Sequence, residues 1–253
     1  MNLEFNTGLS LLFFTGIIIS IFLCLLLILK KNRIKVDKIL TIWMAVIAIH
    51  QLLFFLDHSG ISYQYPHLLG LTLPIPILNG ILLFCYVSGI TKEKSVNLKT
   101  ALPHLIPFLL LILLAIPFYS LPVEEKVIVF ENEGKGFEWF LLLKNFLIVI
   151  VGLVYVIWLL ALIYKCRSKV QKLFSNTDRK ILQWLEYLSI GLGIIWLLAV
   201  FFDDWVIFSG IVTFVLLSGF FAQYCLCWNN NSKDEYYPTY SSPNIYSMQD
   251  RAT

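Results

Sequence analysis

Hydrophobic residues in this chain come in long unbroken runs rather than alternating with polar ones. Seven such runs stand out, from Leu9 to Leu29, Ile39 to Leu56, Leu68 to Ile90, Leu102 to Leu121, Trp139 to Tyr164, Trp184 to Phe202 and Val206 to Leu226. Each is close to the roughly 20 apolar residues that a helix needs to cross a bilayer. The longest connections, Pro122 to Glu138 and Lys165 to Gln183, are loop-sized and leave no room for a soluble domain between runs. The pattern predicts an all-α integral membrane protein, a bundle of seven transmembrane helices over residues 1–228. The stretch 229–253, rich in Asn, Ser, Tyr and Pro without periodicity, reads as a disordered tail.

The third run is unusual. It carries Pro74 and Pro76, with Gly70, Asn79 and Gly80 close by. Inside a helix each proline removes a donor and clashes one turn back. A membrane helix tolerates this only where neighbours re-satisfy the freed carbonyls. The expectation is one helix from Leu68 to Ile90, kinked at Pro74 and Pro76. Val127-Ile128-Val129-Phe130 has strand character, too short to stand alone, and is expected across the helix mouths. Ser175 to Arg179 reads as a polar turn with Asn176 or Thr177 capping the next helix.

Composition agrees with the pattern: of 253 residues, 58% are hydrophobic and 14% charged, and the mean hydropathy is +0.79. A soluble domain is apolar at only about 45–50% of positions. The first run is not expected to be a cleaved signal peptide, because Met1-Asn2-Leu3-Glu4 lacks a basic start and the run is too long. Charge sets the orientation. Lys30, Lys31, Arg33, Lys35 and Lys38 follow the first run, Lys92, Lys94 and Lys99 the third, and six basic residues from Lys165 to Lys180 the fifth. By the positive-inside rule these connections are cytoplasmic. The alternate connections carry mainly acids, including Asp57, Glu124, Glu125, Glu131 and Glu138. The N-terminus is therefore expected outside and the C-terminus in the cytoplasm, in a multi-pass protein of the cytoplasmic membrane. Cys24, Cys85, Cys166, Cys225 and Cys227 lie in helices or beside basic loops and suggest no disulfide framework.

Few polar groups lie within the runs: His50, Gln51, Asn79, Lys144, Asn145 and Glu186. Ionisable residues at a helix centre cost about 2.5–3.5 kcal/mol and usually face a bundle interior or cavity. Lys144 and Glu186 lie near run ends, where snorkelling to an interface is the alternative. His50 is deeper and shares a face with Phe54 and Asp57, at i, i+4 and i+7. That face either lines a pocket or holds a histidine satisfied by a neighbouring helix. The pocket reading joins His50, Asp57, Pro74, Pro76 and Asn79, with Lys144 as a charge partner. His50, Asp57, His58 and His67 lack metal-ligand spacing, so neither a metal nor another cofactor is expected. H-E-x-x-H, G-x-S-x-G and phosphate-loop motifs are missing, and no enzyme is expected.

Three ordered stretches carry a resemblance: Tyr65-Pro66-His67-Leu68-Leu69-Gly70-Leu71-Thr72-Leu73-Pro74-Ile75-Pro76; Pro103-His104-Leu105-Ile106-Pro107-Phe108 with Pro117-Phe118-Tyr119 and Glu125-Lys126; and Phe174-Ser175-Asn176-Thr177-Asp178-Arg179 with Trp184-Leu185-Glu186-Tyr187-Leu188, Gly191 and Trp196. Together they resemble the seven-transmembrane sensor region of Bacteroidota AraC-type membrane-bound transcriptional regulators, from Leu9 to Phe221. The sequence departs from that pattern at Ile81, where the family tends to proline, and after Phe221, where no helix-turn-helix domain follows. The resemblance implies a signal-sensing module for a one-component regulator, here a truncated one, without specific DNA binding of its own. The partners it implies are the lipid bilayer, a small-molecule or envelope signal, and a second copy or a separate cytoplasmic output protein. The alternative is a small-solute transporter, built from two three-helix repeats. Against it, the paired prolines of the third run have no counterpart in the seventh.

Overall fold

The computed structural model describes residues 7–31, 33–91, 102–170, 183 and 185–195. The expectations for Ser175 to Arg179, for the seventh run, for most of the sixth and for the tail lie outside these residues. The described residues form helices and turns and no strand. In order they are α1 (Thr7–Leu29), α2 (Lys35–His58), α3 (Ile75–Thr91), α4 (Ile106–Tyr119), α5 (Val123–Glu131), α6 (Glu138–Val170) and α7 (Leu185–Ile195). Four segments are long and apolar enough to cross a membrane: Ser10–Leu29, Lys35–His58, Leu102–Tyr119 and Glu138–Arg167. Helices α3 and α7 are apolar but shorter.

The turn between α1 and α2 is tight because Asp37 organises it. Its carboxylate accepts the Ile34 N–H at 2.9 Å and both oxygens accept from Lys30 Nζ, at 2.9 and 3.0 Å. An acid in the first turn also favours the positive end of the helix. Helix α1 then returns along α2, with Cys24 Sγ donating to the Thr41 carbonyl at 3.7 Å and Phe13 beside His58 at 5.8 Å between ring centroids. Helix α2 also packs on α3, and α6 packs on α3 and α4. Helix α3 is central and buries residues around most of its circumference, Ile77, Ile81, Leu83, Cys85 and Val87 among them. Gly89 lets α2 and α3 approach closely: a Cβ there would lie 2.9 Å from Val36 Cγ2.

Two expectations are corrected. The third run is not one kinked helix from Leu68 to Ile90. Turns carry the chain from Pro66 to Pro74, and α3 begins at Ile75, with Pro76 in its first turn. Pro74 and Pro76 thus start the helix instead of bending it, and a proline lacking an N–H costs nothing where that N–H has no intrahelical partner. Nor does Val127 to Phe130 form an extended strand. It lies within α5, where Pro122 precedes the first turn and Glu124 and Glu125 sit at the positive end. These helix-start signals override the β-branched preference of the segment.

Candidate functional site

The polar side chains of α2 are the chemistry that the fold encloses. Asp37, His50, Gln51 and Asp57 are all buried, and His50 is only 1% exposed. The contact of Val36 with Gly89 fixes how α2 and α3 align. From it, His50 stands near the start of α3 and Asn79 about one turn nearer the Lys35 end of α2. Asp57 lies seven residues beyond His50, about 10.5 Å along the helix in the other direction.

Two hydrogen bonds and one ring contact of these side chains therefore occur at three levels. Trp43 Nε1 donates to Asn79 Oδ1 at 3.2 Å. The His50 ring packs against Phe54 at 4.5 Å between centroids. Ser62 Oγ donates to Asp57 Oδ1 at 2.5 Å, both groups being buried. Of the residues expected to bound a single pocket, His50, Asp57, Pro74, Pro76 and Asn79, not all stand at one level along the helices. His50 and the α3 start with Pro74 and Pro76 share a level, whereas Asp57 and Asn79 are held elsewhere by Ser62 and Trp43. Lys144 is half-buried on α6, a helix whose principal partners are α3 and α4, not α2. Glu186, half-buried on α7, accepts from Tyr164 at 3.0 Å and pairs with Arg167 at 3.3 Å.

At the Asp57 end, loops close over the helices. Gly70 has φ +82°, and a Cβ there would lie 2.6 Å from Phe118 Cε1. Only glycine satisfies both the left-handed backbone and that approach. Tyr119 donates its hydroxyl to the Gly70 carbonyl at 2.9 Å. Lys126 of α5 is buried, donates to the Tyr119 carbonyl at 3.0 Å and stands 5.9 Å from the centre of the Phe118 ring. Phe130 of α5 meets Tyr63 edge-on at 6.0 Å. Burial, with the charges of Glu131 and Asp57 nearby, raises the Tyr63 phenol above its usual pKa. The loop after α2, the approach to α3, the end of α4 and α5 thus form one connected cap, and Asp57 reaches it through Ser62.

Sequence reasoning missed Lys126 and a second cluster. His104 Nδ1 lies 2.9 Å from the Tyr155 hydroxyl, and Phe84 and Trp158 pack around the imidazole at 4.5 and 5.6 Å. A signal for His104 was present in the Pro103 to Phe108 stretch. Lys126 also falls in the resemblance, in Glu125-Lys126, but a lone lysine among acids reads as a solvated loop residue. Among the described residues no three or more His, Cys, Asp or Glu side chains are grouped to hold a metal ion. The arrangement is suited to holding helices and cap in a defined relation through a few buried polar contacts. Comparison of the chain with protein-family models, with curated proteins and with solved structures returned no match.

Proposed function

We propose that the chain is a multi-pass protein of the cytoplasmic membrane that receives a small-molecule or envelope signal, as the sensory region of the AraC-type regulators it resembles does. The observation that carries this reading is the burial of His50, Gln51 and Asp57 in a helix otherwise apolar enough to cross a bilayer. Ionisable groups at membrane depth are costly and mark functional interiors. In the proposed topology seven spans place the Asp57 end and its cap outside and the Lys30 turn inside, following the charge of the connections. A signal met by the cap is passed to α2 through the Ser62–Asp57 contact, and a cap that docks or lifts supplies the two states a sensor needs.

The test is a reporter chimera in which these helices are joined to the DNA-binding domain of an AraC-type regulator. His50→Ala and Asp57→Asn should change the signal response while leaving membrane insertion intact. If both variants insert and respond like the parent, α2 is not the receiving element. Substrate-dependent uptake into proteoliposomes would replace the sensor with the small-solute transporter.

A further inference from the structure

Among the described residues, the turn joining α1 to α2 concentrates positive charge that acidic side chains only partly neutralise. Its single acid, Asp37, is occupied by Lys30 and the Ile34 N–H. Lys31, Arg33, Lys35 and Lys38 are left exposed, and Arg33 makes one hydrogen bond, to Thr41 Oγ1 at 3.3 Å. Apolar surface continues directly from these charges. Leu29 at the end of α1 is 76% exposed and Ile34, inside the basic turn, is 51% exposed. Cations beside exposed aliphatic side chains match one class of molecule, with an anionic head and a hydrocarbon body.

We infer that the α1–α2 turn is a docking surface for an anionic phospholipid. Lys31, Arg33, Lys35 and Lys38 hold the headgroup phosphate, and the acyl chains lie along Leu29 and the outward side of α1. The Lys30–Asp37 pair is the positioning element: it holds the turn in shape and removes the one charge that would repel a phosphate. Ile34 sits among the cations at the depth where the headgroup meets the chains. The inference rests on the membrane reading above and adds to it a lipid preference that residence in a membrane does not require.

The experiment uses the full chain, extracted in a neutral detergent and equilibrated with equal amounts of phosphatidylglycerol and phosphatidylcholine, with bound lipid counted by native mass spectrometry. The parent should retain phosphatidylglycerol by more than about tenfold at about 0.1 M salt, each cation contributing about fivefold. The preference should collapse at about 1 M salt, where exposed charges are screened. The K31Q/R33Q/K35Q/K38Q variant should bind both lipids equally, and K31R/K35R/K38R should behave like the parent. Inorganic phosphate should not displace the lipid, because it has no chain to lie on Leu29. A parent without preference, a neutralised variant that keeps it, or displacement by phosphate would each overturn the inference. Should the fourfold variant lose its helical circular dichroism, Lys31→Gln and Lys38→Gln singly should each lower the preference about fivefold, and no change in either overturns it too. Sedimentation of the chain with membranes before extraction is read separately. A chain absent from membranes sinks the membrane reading, whereas one present without lipid preference sinks only this inference.

Discussion

Helices α2 and α4 both belong to segments long and apolar enough to cross a bilayer, yet only α2 also buries polar side chains. Helix α4 turns Leu111, Ala115 and Phe118 inward, at i, i+4 and i+7, and buries no polar side chain between Ile106 and Tyr119. Its exposed side, with Ile106, Leu109 and Leu113, is equally apolar. Helix α2 buries Asp37, His50, Gln51 and Asp57 beside the apolar Trp43, Met44, Ile47 and Leu53, while exposing Ile42, Ile49 and Leu52. Such a helix, with its polar groups turned inward, inverts the arrangement of a soluble amphipathic helix. Hydropathy alone does not separate the two. What separates them is that α2 adds polar contacts at defined levels to its apolar packing, whereas α4 buries carbon alone.

The largest effect should come from breaking the carbon side of this comparison. Leu111→Ala opens a cavity at a fully buried site and should cost about 2–5 kcal/mol, whereas Leu113→Ala on the exposed side of the same helix should stay within about 0.5 kcal/mol. Equal losses from the two, measured by unfolding in mixed micelles, would mean that α4 has no preferred buried side. Gly70→Ala combines left-handed strain with contact against Phe118, and about 2–4 kcal/mol is expected. On the polar side, Ser62→Ala removes the donor to buried Asp57 and should cost about 1.5–3 kcal/mol. A neutral result would show that Asp57 finds another partner. Smallest is Trp43→Phe, which deletes one interhelical hydrogen bond to Asn79 while keeping an aromatic ring. Interhelical bonds in membrane bundles average about 0.6 kcal/mol, so the same unfolding assay should detect a small loss, and one above about 2 kcal/mol would assign Asn79 a larger role.

The ease of reading α1, α2 and α6 in the sequence has a physical origin. Each is a long, mostly apolar run bounded by polar residues, and α1 and α2 begin and end within a few residues of the run ends. The start of α3 was hidden because Leu68 to Pro74 is as apolar as the helix after it, and hydropathy does not register whether the backbone is turning or helical. Proline chemistry held the missing information, since Pro76 fits a first turn as readily as Pro74 and Pro76 fit a kink. At α5, Val127 to Phe130 favoured extended structure locally, while Pro122 and the acids after it had the stronger effect. The unusual burial of His50 and Asp57 was legible because ionisable residues are rare in such runs. Their partners were not: Ser62 lies across a loop whose turns had to be known, and the pairing of Trp43 with Asn79 depends on a register that Gly89 sets by contact, not by composition.

A membrane sensor of the proposed topology has the two ends of α2 on opposite sides of the membrane. Reporter fusions placed after Lys38, Glu131 and Lys172 of the full chain measure this together with insertion. Cytoplasmic, periplasmic and cytoplasmic signals in that order are predicted, with the protein resisting alkaline extraction from membranes. A periplasmic signal at Lys172, a shared side for Lys38 and Glu131, or release of the chain into the soluble fraction would contradict it.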